Sequence, residues 1–299
     1  MTEPTLEVAN LHMSVGRGRA AVPILRGVDL SVAPGEVLGL VGESGAGKSM
    51  VGRTVLDLLP GSARVTAGTV RYRGRDLLAM PVAERRRLLG AKIALIPQDP
   101  MTALNPVHRI GRQVTDVLRL HLALSKAAAM DRAEALLDAV HIRNPGRVLR
   151  QYPHELSGGM RQRVLIAIAF ACDPDLIVAD EPTTALDVTV QRQILRLLKE
   201  MQGRAGTAIL FVTHDLGVVA KICDRVTVIH AGRILEAGTA ADLFAAPQHP
   251  YTQALFAATP RYDQPADALH PIPPDLLARL WAEAHAQDRE GRAEEGRAE

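Results

Sequence analysis

Eight consecutive residues, Gly42-Glu43-Ser44-Gly45-Ala46-Gly47-Lys48-Ser49, match the pattern G-x-x-x-x-G-K-[ST] at every fixed position. Glu36-Val37-Leu38-Gly39-Leu40-Val41 before it reads as a buried strand, and Met50 to Leu59 after it reads as a helix. In such a strand-loop-helix unit the glycines let backbone N–H groups converge on phosphate oxygens, and the helix N-terminus adds partial positive charge. The pattern assigns Lys48 to the β- and γ-phosphates and the Ser49 hydroxyl to magnesium. A glycine-rich turn that merely links strand to helix is the plain alternative; a full match to the pattern in the right context argues against it. The run implies a nucleoside triphosphate site.

The chain of 299 residues is long enough for one large α/β core and a smaller appendage. Hydrophobic residues at 47% and charged residues at 23% describe an ordinary globular composition. A formal net charge of +2 gives no reason to expect nucleic acid or an anionic membrane surface as the main partner. No run approaches the length of apolar sequence that spans a bilayer, and Met1-Thr2-Glu3-Pro4 lacks the features of a signal peptide. Cys172 and Cys223 form no CxxC pair and read as thiols in a reducing compartment, which makes the cytoplasm the expected location.

Leu6-Glu7-Val8 and Val28-Asp29-Leu30-Ser31-Val32 alternate apolar with polar residues, as half-buried strands do. Thr66 to Tyr72 and Lys92 to Ile96 read as further strands. From Gln98 to about Arg150 the pattern turns helical, with apolar spacing over Gln113 to Leu122 and Lys126 to Val140. A second α/β block follows: helices over Ser157 to Phe170 and Val190 to Gln202, strands at Leu176-Ile177-Val178-Ala179, Thr207 to Thr213 and Val226 to His230. Alternating strands and helices imply a largely parallel sheet. Beyond Glu236 a short helical appendage is expected, and the tail from Ala282 to Glu299, mostly alanine, glycine and mixed charge, is expected to fray.

Leu176-Ile177-Val178-Ala179-Asp180-Glu181 is an apolar strand that ends in two adjacent acids. Consecutive side chains at a strand end project to different places, so two roles are open: Asp180 on magnesium, Glu181 polarising the attacking water. A solvated acid pair at a strand edge is the alternative, and the intact phosphate loop weighs against it. Ser157-Gly158-Gly159 at a helix start forms another anion-binding N-terminus, although a serine cap by itself is commonplace.

Leu156-Ser157-Gly158-Gly159-Met160, with Arg161-Gln162-Arg163 behind it, resembles the signature motif of ATP-binding cassette (ABC) ATPases, and the resemblance covers about residues 5 to 260. It implies a P-loop NTPase core with an N-terminal antiparallel β subdomain, an inserted helical subdomain and a short C-terminal extension. The corresponding segments are 1–97 (β subdomain and first part of the core), 98–165 (Q-loop, helical subdomain and signature), 166–235 (rest of the core) and 236–299 (extension and frayed tail). By resemblance Gln98 is the Q-loop glutamine that contacts magnesium and senses the γ-phosphate, and Asp187 of Ala185-Leu186-Asp187 lies near a partner's site. His214 is the switch histidine that hydrogen-bonds the γ-phosphate. Two identical or related subunits then sandwich each ATP, so that Ser157, Gly158 and Gly159 act on the partner's nucleotide.

Val15 stands where family members usually carry the aromatic residue that stacks on adenine, so weakened discrimination between ATP and GTP is expected unless Arg17 or Arg19 takes over. Met160 replaces the glutamine that many members have at the fifth signature position. Gln98-Asp99-Pro100-Met101-Thr102-Ala103-Leu104-Asn105-Pro106, Val107-His108-Arg109-Ile110-Gly111 and His249-Pro250-Tyr251-Thr252-Gln253-Ala254-Leu255 resemble the dipeptide/oligopeptide and nickel importer branch. That branch implies two integral-membrane permeases, a second ATPase subunit (a copy or a sister chain), an extracytoplasmic substrate-binding protein acting indirectly, and a place on the cytoplasmic face of the cell membrane. No cysteine follows Cys223, so the iron–sulfur cluster that many peptide-importer ATPases carry is not expected, and the shorter extension leans toward nickel or a metallophore. The competing classes are another importer branch, a DNA-acting ABC ATPase, which would normally add coiled coils or CxxC insertions, and a module that binds ATP without hydrolysis, which would normally lack Glu181 or His214.

Overall fold

The computed structural model describes residues 3–184, 186–258 and 271–298. Two compact units interleave along the chain: one takes Leu6–Val32, Val37–Leu78 and the chain from Val212 onward, the other Ala33–Glu36 and Ala79–Phe211.

In the first unit β1 (Leu6–Val15) buries Leu6, Val8, Leu11 and Met13, the alternation that a one-sided strand requires. It pairs antiparallel with β2 (Val22–Val32), from Leu6 opposite Val32 to Val15 opposite Val22. The register slips near Asn10, whose φ of +48° marks a bulge. β3 (Val37–Val41) is buried at all five positions and leads through the phosphate loop into α1 (Lys48–Val55). That helix starts at the loop lysine and stops before Asp57, which takes φ +56°, so it ends earlier than the expected Leu59. β4 (Ala63–Tyr72) and the short β5 (Arg75–Asp76) complete a four-stranded sheet in the order β2-β1-β4-β5.

The second unit opens with α2 (Val82–Leu88) and β6 (Ile93–Ile96), followed by α3 (Pro100–Ala103), α4 (Ile110–Leu122), α5 (Lys126–Ala139) and α6 (Pro145–Val148). α4 begins three residues before the expected Gln113. The Ile110 and Gly111 N–H groups donate to the carbonyls of Gln151 and Leu149, distant partners that satisfy first-turn donors and leave no local mark in sequence. Helices α4 and α5 pack through Ile110, Val114 and Leu118 on one side and Ala129, Ala133, Leu136 and Leu137 on the other. The chain continues as α7 (Gly158–Phe170), β7 (Leu176–Asp180), α8 (Val188–Ala205) and β8 (Ala208–Thr213). β6 and β7 run parallel, Ile93 beside Leu176 and Ile96 beside Ala179, with β8 next to β7. Their near-continuous Val, Ile and Leu runs suit strands covered on both faces.

The chain returns to the first unit with α9 (Leu216–Ile222), β9 (Arg225–His230), β10 (Arg233–Thr239), α10 (Ala240–Ala245), α11 (Pro250–Ala257) and α12 (Pro274–Ala298). β9 lies parallel to β3, Leu38 beside Arg225 and Val41 beside Val228, and β10 folds back antiparallel on β9. The frayed tail expected from Ala282 is corrected here. α12 buries Leu276, Leu280 and Ala284 at four-residue spacing, and Asp288 grips the buried Arg26 guanidinium through two bonds of 2.9 and 3.0 Å. A buried cation needs a counter-charge, and the sequence supplies it 262 positions away, beyond the reach of local pattern.

Among the described residues neither ring nitrogen of His230, which is 5% exposed, has a hydrogen-bond partner. The Glu43 carboxylate stands 3.7 Å from its Nδ1, beyond hydrogen-bond range. Burial, and to a lesser extent the charge of His249, holds the imidazole below its usual range. The unfolded chain takes up this proton near pH 6.5 while the folded chain resists it, so its share of stability is present above that pH and is lost on acidification. Urea midpoints measured between pH 7 and 5 should fall less steeply for His230→Gln than for the wild type; identical slopes contradict this.

Candidate phosphate-binding and hydrolytic site

The phosphate loop is built within the first unit. A Cβ on Gly42 would collide with the Ile229 carbonyl oxygen, and one on Gly47, at φ +104°, would come within 2.9 Å of Leu25 Cδ2. Glycine is therefore required at both ends of the curve. Gly45, at φ +83°, faces open space, as a loop that receives a ligand requires. Gly232 N–H donates to the Ala46 carbonyl at 3.0 Å and pins the loop's far side. Lys48 is 5% exposed, and its ammonium donates to the carbonyls of Gly42 and Glu43, both at 2.8 Å. The cation is thus folded back onto its own loop. Ser44 is exposed and Ser49 half-buried in the first turn of α1. A glycine-shaped cradle, a helix start and a captive ammonium fit a triphosphate.

His214 is also in this unit, exposed at the end of β8. The turn around it is fixed on both sides: Thr213 Oγ1 accepts the Asp215 N–H at 3.0 Å, and Asp215 caps α9 through the Val218 N–H at 3.1 Å. Val15 closes β1 opposite Val22 and Ala63, and the Arg17 side chain is exposed.

The second unit brings the other candidates together in two groups. Asp180 ends β7, and Glu181 follows at φ +47°, a conformation unfavourable for glutamate. Its Oε2 accepts from Gln98 Nε2 at 3.1 Å and from Thr184 Oγ1 at 3.0 Å. One carboxylate oxygen is therefore aimed by two donors from two different loops. In the other group Ser157 caps α7 through the Met160 N–H at 3.3 Å, and Asp187 caps α8 through the Thr189 and Val190 N–H groups at 3.1 and 2.9 Å. A Cβ on Gly159 would approach Val190 Cγ1 to 2.9 Å, so the glycine lets the starts of α7 and α8 touch. The side chain of Gly158's neighbour Ser157 stays exposed at that junction.

Two contributors were not anticipated from sequence. Thr184 has a recognisable position, three residues after the glutamate it orients. Arg161, buried, donates to the Leu156 carbonyl at 3.1 Å and contacts Met101 Sδ at 2.9 Å, tying the segment after the Q-loop to the signature helix. Downstream, the Gln113 amide closes the Pro106 loop through Asn105 and His108, leaving Val107 72% exposed. No helix among the described residues is long and apolar enough to cross a membrane.

The ABC transporter family profile matches residues 25–184, and the oligopeptide/dipeptide transporter C-terminal region matches residues 235–280. The dipeptide transport ATP-binding protein DppD of Bacillus subtilis is 47% identical over 92% of this chain and 84% of its own length. The oligopeptide transport ATP-binding protein OppD of Salmonella typhimurium is 46% identical, covering 92% of this chain and 82% of that protein. Among solved structures, the dimeric post-hydrolysis state of the ATP-binding cassette MJ0796 bound to ADP and Pi superposes with a TM-score of 0.70 at 27% identity, over 79% of this chain and 98% of that one. An intact phosphate loop, an oriented acid at a strand end and a capped glycine-start helix thus coincide with sequence kinship along nearly the whole chain: it belongs to the ABC transporter family of ATPases.

Proposed function

We propose that this chain hydrolyses ATP to drive import of dipeptides or oligopeptides through a membrane transporter. The observation that carries the hydrolytic reading is the Glu181 carboxylate, held at a costly backbone conformation by Gln98 and Thr184. The kinship to DppD and OppD and the match over 235–280 support the peptide branch over nickel.

In this reading Lys48, the loop from Gly42 to Ser49 and the start of α1 bind the triphosphate, and Glu181 polarises the attacking water. Ser49, Asp180 and Gln98 hold magnesium, which neutralises phosphate charge when bound. His214 hydrogen-bonds the γ-phosphate. Ser157, Gly158, Gly159 and Asp187 serve the nucleotide of a second ATPase subunit, a copy or a sister chain. The contact between the starts of α7 and α8 supports these four acting as one surface. The four segments 1–97, 98–165, 166–235 and 236–299 divide this work. Two permeases grip the region after Gln98, where Met101 and Val107 stay exposed rather than packing inward. The chain sits at the cytoplasmic face of the cell membrane, served indirectly by an external binding protein, with no nucleic-acid partner.

Reconstitution with a pair of partner permeases tests the substrate. MgATP-dependent uptake of labelled dipeptides into proteoliposomes is expected. Uptake of nickel without peptide contradicts the assignment.

A further inference from the structure

Glu43, the second residue of the phosphate loop, is gripped from both sides. Its carbonyl accepts from the Lys48 ammonium at 2.8 Å. Its N–H donates to the Tyr251 hydroxyl at 3.3 Å, and that hydroxyl donates back to Glu43 Oε2, also at 3.3 Å. Tyr251 lies some two hundred positions downstream at the start of α11 and is 0% exposed, among the largest fully buried side chains. Burial above all pushes its phenol well above the usual range, so the hydroxyl keeps its proton and can donate at any physiological pH.

The tyrosine is itself anchored. His249 Nδ1 accepts the Tyr251 N–H at 3.1 Å, while the Glu236 carboxylate accepts the N–H groups of Gln248 and His249 at 2.8 and 3.0 Å. The ring of His230 lies 4.5 Å from that of Tyr251 and 5.8 Å from that of Trp281 on α12. The loop's other side is tied to the same region. Ala46 accepts from Gly232, Gly232 accepts from the Arg26 N–H at 2.9 Å, and the Arg26 guanidinium reaches the Ala231 carbonyl at 2.7 Å and Asp288.

We propose that Tyr251 is a positioning residue for the phosphate loop: by fixing Glu43 it fixes the carbonyl that holds Lys48, so the C-terminal region beyond Glu236 sets nucleotide affinity. The inference rests on the nucleotide reading of residues 42–49. A hydroxyl bound to a carboxylate and an N–H at the edge of an anion site is a charge-assisted contact, and its loss is expected to weaken binding about tenfold.

The test is calorimetric titration of the full chain with MgADP, for wild type, Tyr251→Phe, Glu43→Ala and the double variant. Tyr251→Phe should raise Kd about tenfold with little change in the nucleotide-free melting temperature, and clearly less than tenfold in the Glu43→Ala background, where only the contact with the backbone N–H is left to lose. In the complex assembled with its permeases, KM for ATP should rise by a similar factor while kcat stays within about twofold. An unchanged Kd in Tyr251→Phe overturns the proposal, as does a full tenfold loss on top of Glu43→Ala, because the hydroxyl then acts by some route other than Glu43. Should Tyr251→Phe fold poorly, Glu43→Ala removes the charge-assisted half of the tether, and a wild-type Kd there overturns the proposal equally. Wild-type protein that binds no MgADP removes the nucleotide reading itself, and the inference with it, an outcome distinct from the others.

Discussion

Lys48→Ala should bind MgATP at least about a hundredfold more weakly than the wild type, the scale expected when one member of a buried charged contact is truncated. The ammonium is almost fully enclosed and held by two loop carbonyls, so its position is decided before nucleotide arrives. Alanine removes the cation proposed for the β- and γ-phosphates and also strips the Gly42 and Glu43 carbonyls of their donor. Loop geometry should survive, because Gly42, Gly47 and the Gly232–Ala46 bond are untouched. Calorimetry with MgATP measures the effect. A Kd within about threefold of the wild type means that the loop does not bind phosphate through Lys48.

Glu181→Gln should bind MgATP normally yet lose turnover by about 10²–10⁴-fold, the usual worth of a positioned general base. The substitution keeps an oxygen that can still accept from Gln98 and Thr184, so the local frame persists while the negative charge proposed to polarise water is gone. With hydrolysis blocked, the nucleotide-bound pair of subunits should accumulate. Light scattering behind size exclusion, run with MgATP, should show a dimer for the variant where the wild type is monomeric. Wild-type turnover in Glu181→Gln removes this residue from the base's role.

The features legible in sequence were those with strong local grammar. The buried run Val37–Val41, the glycines at 42 and 47, and the acid pair after Leu176–Ala179 needed no distant information. Gln98 and Glu181 were both named from sequence, but their direct bond was not, because 83 residues separate them. The early start of α4 escaped for the same reason: its first donors are met by Gln151 and Leu149. The largest miss was α12. Its alanine, glycine and charged residues resemble a solvated tail, and only the Leu276, Leu280, Ala284 stripe and the Asp288 pairing with Arg26 reveal a packed helix. Tyr251 was visible as part of a branch-specific motif, yet its contact with the phosphate loop depends on how the chain returns after β8.

Phosphate release from MgATP by the purified chain, assembled with its membrane partners, tests the central claim most directly. Release by the wild type, abolished by Lys48→Ala and by Glu181→Gln alike, is the predicted result. No measurable release by the wild type, or equal release by all three proteins, would contradict it.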